Sequence, residues 1–268
     1  MTDEGPRRIP PKRPAILVML GALGAAFFAL PIVGLAGRAP WSNLVELISS
    51  DVVVDALRVS AITSAAAAIL SVVLGVPLAW LLARVDFPGR SVVRAVVTLP
   101  MVLPPVVGGA ALLFALGRRG FVGEPLADAT GFILPFSVWG VILANTFVAM
   151  PFLVLTVEGA LLGMDRRHEA AASSLGAPPL TVLRRVTLPA IAPSLRAGIV
   201  LAWARALGEF GATVTFAGNL QGRTQSLPLA VFVALESDRD TAVAISLVLV
   251  VISLVVLVVL RDRWWSRP

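Results

Sequence analysis

Long apolar runs separated by short arginine-bearing segments organise this chain. Residues 15–37 form 23 uncharged positions, and comparable runs recur at 59–83, 95–117, 129–157, about 197–217 and 241–260. A helix rises about 1.5 Å per residue and the hydrocarbon core of a bilayer is about 30 Å thick, so about 20 apolar residues cross it. All six runs meet or approach that length. They are continuously apolar, whereas the strands of a closed barrel would alternate apolar and polar positions. The expected fold class is therefore all-α integral membrane, with six transmembrane helices.

Arg7, Arg8, Lys12 and Arg13 precede the first run, as basic residues precede a secretory signal, but the run exceeds the about 7–15 apolar residues of a cleavable one. A retained first helix is expected. Pro31, Pro77, Pro100, Pro104, Pro105, Pro135 and Pro151 lie inside runs. Each removes a backbone donor and favours a kink that neighbouring helices must satisfy, a pattern compatible with structural bends and with a transport path.

Basic residues flanking spans stay preferentially on the cytoplasmic side. With the amino terminus inside, the inner segments carry those four residues, then Arg84, Arg90 and Arg94, then Arg166, Arg167, Arg184, Arg185 and Arg196, and finally Arg261, Arg263 and Arg267. The outer segments carry only Arg38, Arg118, Arg119, Arg223 and Arg239, with Arg58 at a helix end. Both termini are expected to be cytoplasmic. Trp264 and Trp265 suit an interfacial anchor.

Composition narrows the chemistry. Hydrophobic residues make up 57% of the 268 positions and charged residues 14%, too little polar surface for a soluble protein of this size. The net charge of +6 is scattered between apolar runs without aromatic partners, which argues against nucleic acid. Cysteine is absent and His168 is the only histidine, so neither a disulfide framework nor a metal centre built from cysteine or several histidines is available. The G-x-x-x-x-G-K-[ST] nucleotide loop is also missing, so this chain is not expected to hydrolyse ATP. No catalytic residues are expected.

Residues 163–195 separate the fourth and fifth runs and are too long for a simple turn. Asp165 or a neighbour can cap a short helix over 169–175, and Gly176 with Pro178 and Pro179 stops it. A second short helix is expected over 181–186, ended by Pro189. Small residues on this surface permit close approach of another protein; an amphipathic surface helix without a partner is the alternative.

Here the text HEAAASSLGAPPLTVLRRVTLP resembles the permease subunits of ATP-binding-cassette importers, whose cytoplasmic loop carries Glu-Ala-Ala, a glycine, and a branched residue followed by Leu-Pro. Gly176, Val186, Leu188 and Pro189 fall at the family spacing and Ala171 and Ala172 match the alanines, while Glu169 stands one position early and Ala170 occupies its slot. The resemblance implies the type I importer permease fold and a loop that docks into a separate ATPase.

The fifth run alone carries charges, Arg205 and Glu209, four residues apart on one helical face. An ionisable group near mid-membrane costs at least a few kcal/mol and needs a partner. The pair is either a structural ion pair or a gate element, and Asn145 in the fourth run either lines the same path or joins two helices. Residues 205–232, RALGEFGATVTFAGNLQGRTQSLPLAVF, and 98–109, TLPMVLPPVVGG, are similar to molybdate importer permeases, and sulfate permeases share the general shape. Thr213 and Thr215 supply hydroxyls of the kind that hold an oxyanion, and the external loop 218–240, with Asn219, Gln221, Arg223 and Thr224, is the expected docking surface for a binding protein.

The resemblance covers residues 54–260 as one transporter domain, after a tail at 1–14 and a separate first helix at 15–37, with a second tail at 261–268. It implies an importer of molybdate, or of tungstate or sulfate, in a bacterial or archaeal cell membrane. Two copies of the chain would form the pore, and two ATPase subunits holding ATP-Mg would bind inside. An extracytoplasmic oxyanion-binding protein would deliver substrate. No cofactor is expected on this chain. An ATP-independent secondary anion transporter is the reading from a different class.

Overall fold

A computed structural model describes residues 14–264, with side chains to residue 258. The expected anchor Trp264 and Trp265 and the basic residues Arg7, Arg8, Lys12, Arg13, Arg261, Arg263 and Arg267 fall outside the described side chains. Among the described residues every regular element is helical. They comprise α1 (Ala15–Gly37), α2 (Leu44–Ile48), α3 (Asp51–Arg84), α4 (Arg90–Thr98) with a 3-10 turn over Leu99–Met101, α5 (Pro105–Leu116), α6 (Gly123–Thr130) and α7 (Val138–Gly163). They continue with α8 (Arg167–Ser174), α9 (Pro179–Val182), a π turn over Leu183–Thr187, α10 (Leu188–Leu207), α11 (Gly211–Ala217), α12 (Leu227–Ser237) and α13 (Arg239–Trp264).

Among the described residues five helical stretches are long and apolar enough to cross a membrane, and the pair Arg90–Met101 and Pro105–Leu116 makes a sixth if taken as one span. That pair is bent by 118°, so the third run is not one straight helix. Pro104 and Pro105 are the cause. Each disfavours the helical region for the residue before it, and Pro104 adopts φ −53° and ψ 131°.

The fourth run is also corrected at its ends. Gly131 and the stretch through Pro135 break the helix, α7 starts only after Ser137, whose hydroxyl accepts from the Gly140 N–H at 3.1 Å, and it continues to Gly163. The fifth run breaks over Gly208–Phe210 into α10 and α11. Pro189 does not end a helix but lies where the π turn passes into α10, within a helical stretch that continues from Pro179 to Leu207. The segment 218–240, expected as one loop, is a loop only as far as 226; the rest is mainly the apolar α12, with Leu227, Leu229 and Ala230 buried.

Helices α3 and α7 form the centre, with α10 packed on both. Small residues recur every four positions along α3 at Ala67, Ser71, Gly75 and Ala79, all buried, which lets the backbones approach closely. A Cβ at Gly75 would lie 2.9 Å from Leu153 Cδ2. Leu82, Leu153, Val157, Leu161, Ile191 and Ala206 complete this core. Between α12 and α13, Asp238 accepts from the Thr241 hydroxyl and from the N–H groups of Thr241 and Asp240, which holds its carboxyl below the usual value.

Distal α5 packs against α11, and Gly109 is the point of closest approach, where an added Cβ would lie 2.7 Å from the Ala212 carbonyl oxygen and 2.8 Å from Thr215 Cβ. In contrast, nothing lies within 4 Å of a Cβ at Gly24 in α1. Gly109→Val should therefore destabilise the purified chain by about 1–3 kcal/mol, the usual cost of overpacking, while Gly24→Ala leaves the unfolding midpoint in detergent unchanged or raised.

Candidate translocation path and coupling segment

Arg205 lies in the last turn of α10 and Glu209 in the break beyond it, so the two do not share a continuous helix. They nevertheless pair, with Arg205 Nη1 2.6 Å from Glu209 Oε2. Glu209 is buried, and its other oxygen accepts from the Ala212 N–H at 2.8 Å, tying the start of α11 to the end of α10. Arg205 is only half-buried.

Asn145 is buried in α7, and its Nδ2 donates to Thr63 Oγ1 of α3 at 3.4 Å. The Thr213 hydroxyl of α11 donates to Asn145 Oδ1 at 3.3 Å, and the Thr63 hydroxyl in turn donates to the Val59 carbonyl at 2.8 Å. The amide therefore joins three helices, and Thr213 is turned inward. Thr215, half-buried, donates to the Gly211 carbonyl at 2.8 Å.

In the loop 218–226 Asn219, Gln221 and Arg223 are exposed, but Thr224 is fully buried. Its hydroxyl accepts from the Leu220 N–H at 2.9 Å, while the Leu220 carbonyl takes the N–H groups of Arg223, Thr224 and Gln225. Thr224 thus shapes the loop from within. Nearby, the Leu227 N–H donates to Ser60 Oγ at 2.7 Å, which pins the start of α12 to α3.

At the other end of the bundle, Asp165 Oδ1 accepts from the Arg167 N–H at 2.9 Å and caps α8. Gly176 ends it with φ +83°, a left-handed conformation open to glycine, and the Ala177 N–H returns to the Ala172 carbonyl at 3.1 Å. Ala170, Ala171, Gly176 and Pro189 are exposed, while Ala172, Val186 and Leu188 are half-buried. Leu175 stands 89% exposed at the tip of the segment. Glu169 turns inward: its Oε1 accepts from the Thr187 hydroxyl at 2.7 Å and its Oε2 lies 3.2 Å from Arg84 Nε.

The family described as binding-protein-dependent transport system inner membrane component matches residues 71–265. This chain belongs to that family. It is 48% identical over 235 residues, 87% of this chain and 88% of the relative, to the molybdenum transport system permease protein ModB of Mycobacterium tuberculosis. It is 40% identical to the protein of the same name from Escherichia coli K12, over 80% of this chain and 93% of that one. The sulfate transport system permease protein CysT of Synechococcus elongatus is 39% identical, covering 89% of this chain and 87% of CysT. Among solved structures, a bacterial ABC transporter involved in the import of the acidic polysaccharide alginate has a chain that superposes with a TM-score of 0.71 at 20% identity, covering 94% of this chain and 95% of that one. That likeness carries the fold alone.

This chain also contains polar groups that the sequence pattern marks only as orienting charges or does not mark at all. Arg94 of α4 donates through Nε to Glu158 Oε1 at 2.9 Å, and its Nη2 contacts the same oxygen. Glu158 is buried at the far end of α7. A carboxylate closing an apolar run beside an arginine-rich segment was the available signal. Arg84, Thr187, Thr63 and Ser60 gave none, since their partners are 18–167 residues away.

Removing one member of an ion pair away from bulk water leaves an uncompensated charge. Glu209→Ala leaves the half-buried Arg205 and the Ala212 N–H without their acceptor and should lower the stability of the purified chain by about 1–3 kcal/mol, and Arg205→Met combined with Glu209→Met should cost less than that single change. Thermal unfolding in detergent reads both; equal losses would mean the two side chains are not coupled.

Proposed function

We propose that this chain is the permease subunit of an ATP-driven importer that carries molybdate into the cytoplasm. The observation that carries the reading is its identity to the mycobacterial molybdenum permease across most of both chains, higher than its identity to the sulfate permease. The family description adds dependence on a binding protein. In this reading the bent pair α4–α5 counts as one span, giving six, and both termini are cytoplasmic.

Two copies of the chain enclose the path, and two ATPase subunits that bind ATP-Mg dock on the inner face. An extracytoplasmic oxyanion-binding protein docks outside against Asn219, Gln221 and Arg223. The chain itself is a pore and not an enzyme. Leu175 and Leu180, 89% and 56% exposed, project from the segment that meets the ATPase and supply an apolar knob for a groove. Closure of the ATPase dimer then moves α8 and, through it, the spans, so the path opens alternately to each side.

Along the path, Arg205 and Thr215 retain exposure, whereas Asn145, Thr213 and Glu209 are occupied by contacts within one protomer. A divalent oxyanion meeting Arg205 would compete with Glu209 for the guanidinium. Such an encounter is weak, as release from a path requires, and selectivity then resides chiefly in the binding protein.

Sulfate is the second reading, supported by the sulfate relative. Proteoliposomes holding this chain with its ATPase and binding protein should take up radiolabelled molybdate only with ATP and all three proteins present, and a tenfold excess of sulfate should leave that uptake intact. Suppression by sulfate or by tungstate would reassign the anion. Uptake that persists without the ATPase would identify a secondary transporter.

A further inference from the structure

We infer that Glu169 and Arg84 form an internal strut that carries the movement of the coupling segment to two spans at once, so that Glu169 is a positioning residue and not a contact for the ATPase. The inference rests on the transport reading above. Its basis is the direction in which the Glu169 carboxylate points. The side chain of Glu169 is 17% exposed, that of Arg84 is 7% exposed, and Thr187 is 1% exposed. Both carboxylate oxygens are engaged within the chain, and the remaining exposure of the side chain faces the cleft that it lines.

Those partners belong to different elements. Arg84 is the last residue of α3, Glu169 stands in the first turn of α8, and Thr187 closes the π turn that leads into α10. Both α3 and α10 pack on α7, and residues of all three helices share one core. A push on α8 therefore reaches the ends of two spans through one carboxylate, with Oε2 on the guanidinium and Oε1 on the hydroxyl. Burial strengthens the link, because an ion pair screened from water is stiffer than one at the surface. The contact with Arg84 is ionic, since Arg84 Nε and Nη2 are both buried without a hydrogen-bond partner among the described residues and Glu169 is the charge that compensates the guanidinium.

The surrounding structure leaves room for such a movement. A cleft of about 250 Å³ lies beside the strut, lined by Trp80, Arg84, Arg166, Glu169, Pro179 and Thr187 among others. The π turn over Leu183–Thr187 has a chemical cause at Pro189, which cannot donate to the Arg185 carbonyl and whose ring crowds it, so the helix widens before α10. That widened turn is a pivot at which α10 can tilt while Thr187 remains attached to Glu169.

The test uses the complete transporter, this chain with its ATPase and binding protein in liposomes, and measures molybdate uptake and ATP hydrolysis together. Glu169→Gln and Arg84→Gln should each leave the ATPase bound and hydrolysing while molybdate taken up per ATP falls about fivefold or more, a change in coupling that lost folding alone would not produce. The charge exchange, Arg84→Glu with Glu169→Arg, should restore that ratio to within about twofold of the unmodified complex. If a single variant fails to insert, the exchange carries the test by itself, because recovery of uptake requires the pair. Loss of the ATPase from Glu169→Gln with normal coupling in Arg84→Gln would overturn the inference, since Glu169 would then be an ATPase contact. Normal coupling in both single variants would overturn it as well. Absence of ATP-driven uptake by the unmodified complex would instead remove the transport reading and the strut with it.

Discussion

One carboxylate serves both sides of the break between α10 and α11. A bilayer tolerates irregular backbone only where its polar groups find partners within the protein. Glu209 meets that constraint by holding Arg205 at the end of α10 and the Ala212 N–H at the start of α11. The break in turn directs α11 against α5, which is itself the distal half of a bent span. Glycines on both sides permit the contact: Gly109 faces the Ala212 carbonyl, and Gly211 faces Pro105, whose Cβ would be 2.9 Å from an added Cβ. Two interrupted helices thus meet where apolar continuity along the chain had suggested two straight ones. Interrupted helices packed on each other are a recurring architecture of transport sites, because they expose backbone to a path without exposing it to lipid.

The existence and type of the main helices were legible because about 20 continuous apolar residues have few other stable solutions in a membrane. Their ends were less legible. Apolarity does not separate a spanning residue from one in a short helix or an extended link, so the fourth run absorbed the end of α6 and the link from Gly131 to Ser137 before the start of α7. The prolines announced bends but not their size, and the 118° turn at Pro104 and Pro105 depends on what α5 packs against. At the candidate site, the pairing of Arg205 with Glu209 could be read from spacing, but the second contact of Glu209 could not, since a helix break at Gly208 redirects it. Asn145 resolves into a link between helices because Thr63 and Thr213, distant in sequence, arrive on either side of its amide.

The segment 163–195 illustrates how charge and small residues divide their work. Alanines and Gly176 keep its outer surface low, and Leu175 projects from it. Glu169, although adjacent to the alanine run, turns the other way into the bundle. A second ion pair, Arg94 with Glu158, joins α4 to α7 at neighbouring helix ends. Arginines that flank spans therefore have a use beyond orientation: Arg84 and Arg94 each tie one helix to another segment of the chain.

The central claim is that residues 163–195 face the cytoplasm and engage an ATPase. Ser174 is exposed on α8 and the chain contains no cysteine, so Ser174→Cys offers a single thiol at the proposed contact. Labelling by a membrane-impermeant maleimide in sealed vesicles of both orientations, with and without the ATPase, is the most direct measurement. The account predicts labelling only in inside-out vesicles and its suppression when the ATPase is bound. Labelling in right-side-out vesicles, or labelling indifferent to the ATPase, would contradict it.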